Sequence, residues 1–220
     1  NKPLNAKWES DFKRIKAKLT GYLSEPKATM RDYPESDKSV PARYARAYAW
    51  HKSAYPQKAL EESSALVASA PDDPYFLELH GQILLESGKP ADAIAPLRKA
   101  VELTGNQPLI AGIFGHALVA TEDKSNLDEA ATVLKAAVAK DNQNPFAWYQ
   151  LGVVYEQKGD SARAALASAE RYLMEGAPQF ALPNAQTAMA GLPEYSTDWI
   201  RAQDINLVAE AQLSKLKKKR

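Results

Sequence analysis

The chain has 220 residues, 45% of them hydrophobic and 25% charged, with ten glycines, fourteen prolines and no cysteine. That composition excludes collagen, intrinsic disorder and disulfide scaffolds, and the length allows one extended domain with a sizeable core. The 28 Lys and Arg against 27 Asp and Glu leave a net charge of +1, too balanced for a general nucleic-acid or acidic-surface binder. Without cysteine there is no thiol catalysis, CxxC redox chemistry or cysteine-based zinc site. This fits a cell envelope, where free thiols are a liability, as well as a cytosol.

Taken in order, the first residues, Asn1, Lys2, Pro3, Leu4 and Asn5, carry no apolar core and no cleavage motif. The chain is therefore expected to be a processed product or an excised piece of a longer protein. Trp8, Phe12, Ile15, Leu19 and Leu23 recur at spacings of three and four, one face of an amphipathic helix that reads as an N-terminal cap. A short helix is expected over residues 26–31.

The middle of the chain repeats. Pro74-YFLELHGQILLESG, Pro108-LIAGIFGHALVATED and Pro145-FAWYQLGVVYEQKG each open on a proline, which suits the first turn of a helix. Each has a glycine seven residues on, at Gly81, Gly115 and Gly152, and Gly88 and Gly159 close the first and third. The prolines are 34 and 37 residues apart, with the extra length in the loop 122–126. Ala93, Ala130 and Ala164 mark a second helix in each unit, and Ala59 places an earlier unit over residues 40–73. A 34-residue helix–turn–helix with small residues at the crossing is the tetratricopeptide repeat. The last unit matches that pattern best, at Trp148, Leu151, Gly152, Tyr155, Gly159 and Ala164. The predicted fold is all-α, a right-handed superhelical solenoid of helical hairpins, with no strand. It forms a single tetratricopeptide domain over 1–220. Capping helices span 1–39, and repeat units cover 40–73, 74–107, 108–144 and 145–177. C-terminal helices and a basic tail occupy 178–220.

Within that last part, residues 179–190 read as a helix disturbed by Pro183. Ser196 or Thr197 would cap a final helix carrying Trp199, Ile200, Ile205, Leu207, Val208 and Leu213. Lys215, Lys217, Lys218, Lys219 and Arg220 suit the negative end of its dipole. The most apolar stretch, residues 109–120, is too short to span a membrane.

Catalytic chemistry is sparse. His51, His80 and His116 are not at a spacing that puts two ligands on one helix face, and no HExxH, GxxxxGK[ST], GxGxxG or GxSxG occurs. Glu61–Glu62 and Asp72–Asp73 read as solvated or capping charge at a helix start and in an inter-repeat turn. The chain is expected to be no enzyme, with no cofactor and no metal. What remains is surface. The first helix of each hairpin is expected to line a concave groove for a protein or peptide. The groove residues would be Tyr44, Tyr48, His51 and Lys52 from the first unit, then Tyr75, Glu78, Gln82 and Glu86. His116 follows, and Tyr149, Val153 and Glu156 complete the set. Tyr48, Tyr75 and Tyr149 would hold equivalent groove-lining places, binding a partner or packing between hairpins. His80, beside Gly81, reads as a core histidine facing its hairpin partner. A carboxylate clamp is disfavoured, because only Lys52 and Arg43 are near.

Several tracts carry a further resemblance. RDYPESDKSVPARYARAYAWHK, PDDPYFLELHGQILLESGKPADAIAPLRKAVEL, NPFAWYQLGVVYEQKGDSARAALASAERYLMEGA and WIRAQDI resemble the C-terminal repeat region of bacterial periplasmic zinc metallopeptidases. These are the BepA-like relatives of the CAAX prenyl protease. The tract from Pro34 to Tyr44 and the WIRAQDI ending are the most specific. The resemblance implies a periplasmic module that recruits substrate or partner proteins, possessing an N-terminal zinc domain of the same parent as a partner, in outer-membrane protein quality control. None of that family's metal-binding or catalytic residues has a counterpart here. The alternative is a stand-alone repeat scaffold or assembly factor.

Overall fold

The computed structural model describes residues 6–218, and within them the regular structure is entirely helical. The helices are α1 (Ala6–Leu23), α2 (Pro26–Asp32), α3 (Val40–Lys52), α4 (Pro56–Ser69), α5 (Pro74–Glu86), α6 (Pro90–Leu103), α7 (Pro108–Ala120), α8 (Leu127–Lys140), α9 (Pro145–Gln157), α10 (Ser161–Met174), α11 (Pro178–Gly191) and α12 (Thr197–Lys218). A 3-10 turn, Lys124–Asn126, fills the inserted loop. Asn1–Asn5, Lys219 and Arg220, on which the reading of the chain start and of the tail end rested, lie outside the described residues.

Local chemistry explains where the helices begin and end. Proline occupies the first turn of most of them, where its missing N–H is no loss. Side-chain oxygens of Ser39, Asp73, Gln107, Asn144 and Asp160 accept hydrogen bonds from the free N–H groups of α3, α5, α7, α9 and α10. At the other end, Gly88 and Gly159 each turn the chain at φ +76°, a conformation that costs other residues free energy. Ser196, rather than Thr197, caps α12, accepting from the Trp199 N–H at 3.2 Å. Pro183 does not break α11, which runs unbroken from Pro178 to Gly191.

The chain divides between Leu103 and Thr104 into two compact units. In the first, α3 packs on α4 and α5 on α6; in the second, α7 packs on α8 and α9 on α10. Small residues sit at the crossings, but not equally tightly. A Cβ on Gly81 would fall 2.5 Å from Leu97, and one on Gly115 would fall 2.5 Å from Leu134. At Gly152 the nearest atom is the Ala167 Cβ, at an ordinary 3.5 Å. The expectation of a close approach therefore holds at Gly81 and Gly115 and fails at Gly152, because alanines rather than leucines face it. Gly115→Ala should cost about 1–3 kcal/mol by overpacking. Gly152→Ala should be neutral or stabilise by about 0.5–1 kcal/mol through the better helix former. Thermal melts of the two variants check this directly.

Both terminal helices bury small residues. In the second unit Ala169, Ala181, Ala185, Ala188, Ala202 and Ala209 form a seam between α10, α11 and α12, joined by Ile205. Ile200, Leu207 and Val208 of α12 are exposed. The WIRAQDI tract closes this seam: Arg201 bonds the buried Glu170 carboxylate and covers the Trp148 ring at 4.7 Å. In the first unit α1 rests on α3 through Ala17 and Gly21. The positions expected as its packed face, Trp8 to Leu23, point to solvent instead.

Glu61 and Glu62 part company. Glu61 is exposed, but Glu62 is buried in the middle of α4, where Arg46 Nε donates to it at 2.7 Å and Arg43 Nη1 at 3.1 Å. Glu61 is solvated, as expected, and Glu62 is not; both lie in the middle of α4 rather than at its start. Asp73 does cap, as expected, bonding the N–H groups of Tyr75 and Phe76. His80 is half-buried and meets Ser63 of α4 at 2.9 Å, not the α6 partner of its own hairpin. Burial pushes its pKa below the usual histidine value by disfavouring the charged ring.

Candidate partner-binding surfaces

The residues proposed to line a groove fall into separate clusters on the first helices. In the first unit Tyr48, His51, Lys52, Gln82 and Glu86 come together around an open recess of about 600 Å³, with Tyr22 of α1 on its rim. His51 Nε2 lies 2.6 Å from Glu86 Oε2, and Gln82 Nε2 donates to the other carboxylate oxygen at 2.8 Å. Lys52 is already engaged. Its ammonium donates to the carbonyls of Tyr22 and Ser24 at 2.9 and 3.0 Å, capping the C-terminus of α1. Arg43 is held by Glu62 and the Lys38 carbonyl. The two cations nearest a would-be carboxylate clamp thus both serve internal carbonyls and carboxylates.

The tyrosines separate into two kinds. Tyr44 and Tyr48 are 1% and 8% exposed, whereas Tyr75 and Tyr149 are 47% and 49% exposed. Tyr44 packs edge-on to Phe76 at 5.3 Å and against Tyr48 at 5.6 Å; Tyr22 closes over Tyr48 at 6.1 Å. Burial drives both phenols well above the usual tyrosine range. Tyr48, Tyr75 and Tyr149 are the ninth, second and fifth residues of α3, α5 and α9, so they are not equivalent positions. The face of α3 expected to be open is covered by α1.

Residues the sequence did not single out do that covering. Arg14 of α1 donates to both Asp73 oxygens at 2.5 and 2.6 Å and lies 4.3 Å from the Phe76 ring centroid. Lys18, one turn on, sits 5.7 Å from the Tyr75 ring. Their i, i+4 spacing was the available signal, since it puts two cations on one helix face. Beneath them Glu78 is mostly buried. Loss of water raises its pKa above the ordinary 4.5, only partly opposed by Lys18. The folded state therefore holds the Glu78 proton more readily than the unfolded chain. Its contribution is favourable in acid and declines as pH rises through the raised value. Glu78→Gln should be more stable than the parent at neutral pH, with the difference vanishing below about pH 4.5. Melting temperatures across pH read this out.

In the second unit Tyr149, Val153 and Glu156 share an open recess of about 630 Å³ with Arg171, Asn184 and Thr187. The Arg171 guanidinium lies 5.3 Å from the Tyr149 ring and bonds Glu175. His116 stands apart, its ring edge-on to Phe146 at 5.8 Å. A third recess, about 360 Å³, lies between α8, α9, α10 and α12, where Trp148, Tyr155, Arg163 and Arg201 line it. Its arginines are matched by Asp160, Asp198 and Glu170, so it holds α12 in place without excess charge. Burial pushes the Tyr155 phenol up to about 12. Among the described residues no three His, Asp or Glu side chains are grouped to hold a metal, and no helix is long and apolar enough to cross a membrane.

Helical hairpins of this length, capped and spaced in this way, define a repeat-built interaction module. A tetratricopeptide-repeat family model matches residues 56–108, and a second model, described as TPR repeat, matches residues 123–159. The chain thus carries tetratricopeptide repeats, and its described residues form an all-α fold of helical hairpins. Solved structures agree on the fold. MamA is 22% identical over 78% of this chain and 96% of its own, with a TM-score of 0.55. MamA from Desulfovibrio magneticus RS-1 is 17% identical over 83% of this chain and 95% of its own, with a TM-score of 0.59. YrrB, described as a TPR protein with an unusual peptide-binding site, is 19% identical over 83% and 98%, with a TM-score of 0.62. No curated protein matches the sequence.

Proposed function

We propose that this chain recruits substrate or partner proteins for a zinc metallopeptidase of the cell envelope, working in the periplasm on outer-membrane protein quality control. The repeats supply an interaction scaffold. The protease assignment rests on the resemblance carried by residues 34–44 and by the WIRAQDI ending. The observation that carries the binding role is the open surface at Tyr149. Half the ring is exposed, a cation stacks on it, and Val153, Glu156, Asn184 and Thr187 offer apolar and polar contacts around one recess. A rigid aromatic with adaptable polar neighbours is what protein interfaces use. Tyr75, flanked by Arg14 and Lys18, offers a second aromatic contact in the first unit.

A photo-crosslinking amino acid placed at position 149 or 153 should capture a partner in living cells, and one at Lys99 or Lys135, on second helices, should not. The reverse pattern would overturn the reading. An upstream reading frame encoding HExxH decides for the protease module. The alternative is a stand-alone scaffold or assembly factor, in which the repeats act with no protease domain attached.

A further inference from the structure

Beside the Ala17–Gly21 face that packs on α3, α1 carries an apolar seam that is largely exposed, with Tyr22 at its end reaching over Tyr48. Trp8, Phe12, Ile15, Leu19 and Tyr22 lie between 50% and 70% exposed. Their spacings of 4, 3, 4 and 3 residues are those of the core positions of a coiled coil. The seam is narrow, one residue or two per turn, and charged residues flank it on both edges. Glu9 and Lys16 lie on one edge, Asp11 and Lys18 on the other. We propose that α1 is a self-association element, and that the seam pairs antiparallel with α1 of a second copy of this chain.

Charge fixes both occupant and register. In an antiparallel coiled coil, residues on one edge of a helix meet the same edge of its partner. Setting Trp8 opposite Leu19 of the second copy, and Phe12 opposite its Ile15, places Glu9 beside Lys16 and Asp11 beside Lys18. By two-fold symmetry each pair occurs twice, so all four flanking contacts join opposite charges. Sliding by one heptad, so that Phe12 faces Tyr22 and Ile15 faces Leu19, sets Lys16 against Lys16 and Lys18 against Lys18. A parallel pair keeps only the Asp11–Lys16 contact, made twice. An anionic lipid surface would gain nothing from Glu9 and Asp11 beside the seam, and interfacial helices present a broader apolar face. The helix is also held ready. Arg14 on Asp73 and Lys52 on the Tyr22 and Ser24 carbonyls fix it to the first unit, so pairing need not first order it. The contact is short for a stable dimer, so association is weak and concentration-dependent.

Sedimentation equilibrium over a wide concentration range should show the mass doubling, with the dimer weakened by salt. Ile15→Asp, at an exposed position, should abolish it without changing the melting temperature. Lys16→Glu with Lys18→Glu, and separately Glu9→Lys with Asp11→Lys, should each be monomeric alone and form a one-to-one dimer when mixed. Because the chain has no cysteine, orientation can be read by oxidative cross-linking. Trp8→Cys and Leu19→Cys should cross-link to each other and not to themselves. A parental chain that stays monomeric, a dimer that survives Ile15→Asp, self-cross-linking of either cysteine variant, or a monomer that binds phosphatidylglycerol vesicles would each overturn the proposal.

Discussion

Arg46→Met should be the most damaging single change in the first unit, lowering its stability by about 3–5 kcal/mol. Arg46 is fully buried in α3. Its Nε donates to Glu62 at 2.7 Å, and its Nη1 donates to the carbonyls of Pro34 and Asp37 at 2.8 and 2.7 Å. One guanidinium therefore neutralises a buried carboxylate and closes the 33–37 loop over α3. Removing it leaves Glu62 with Arg43 alone and the Asp37 carbonyl with no donor, while Pro34 keeps only the Asp37 N–H, and the cost of an unsatisfied buried group exceeds what its hydrogen bond was worth. Adding Glu62→Leu should recover part of the loss, because the buried charge goes. It should not recover all of it, because the Asp37 carbonyl remains unpaired. Full recovery in denaturant titrations would show that the carbonyl contacts contribute nothing.

Gly21→Val should have the next largest effect. A Cβ at Gly21 would lie 2.4 Å from the Ala45 carbonyl oxygen and 2.9 Å from its Cα. Both are backbone atoms of α3 and cannot rotate away, so α1 must move. Overpacking of this kind costs about 1–3 kcal/mol, and lifting α1 would break the Arg14–Asp73 pair and uncover Tyr44 and Tyr48. Amide exchange across residues 6–23 should accelerate sharply, while the second unit, Thr104–Arg220, is unchanged. Unaltered exchange in α1 would mean that the Gly21 contact is not what seats the helix.

These two sites show what the sequence could and could not reveal. The hairpins were legible because proline at helix starts, glycine at Gly81, Gly115 and Gly159 and alanine at Ala93 and Ala130 each answer a local requirement, of capping, turning or close packing. The direction in which α1 packs was not. Periodicity groups Trp8, Phe12, Ile15 and Leu19 on one face, but burial went to Ala17 and Gly21, because only small residues let α1 reach the α3 backbone. Glu62 read as solvated for the same reason: its partner Arg46 lies 16 residues away on another helix. The site residues divided similarly. Sequence placed Tyr44, Tyr48, Tyr75 and Tyr149 on first helices, and all four are there. Whether a ring is covered depends on a neighbour, and α1 covers the first two.

That division supplies the most direct test of the account, in which Tyr149 binds and Tyr48 packs. Tyr48→Ala, Tyr75→Ala and Tyr149→Ala should each be measured twice, for melting temperature and for affinity toward the protein captured by cross-linking at position 149. Tyr149→Ala should keep the parental melting temperature and weaken binding by at least about 2 kcal/mol, roughly thirtyfold, the loss expected of a central aromatic anchor. Tyr48→Ala should do the opposite, losing stability because its ring is buried against Tyr22 and Tyr44. Full affinity in Tyr149→Ala, together with binding abolished by substitution of Lys99 or Lys135, would contradict the assignment of the first-helix face as the binding surface.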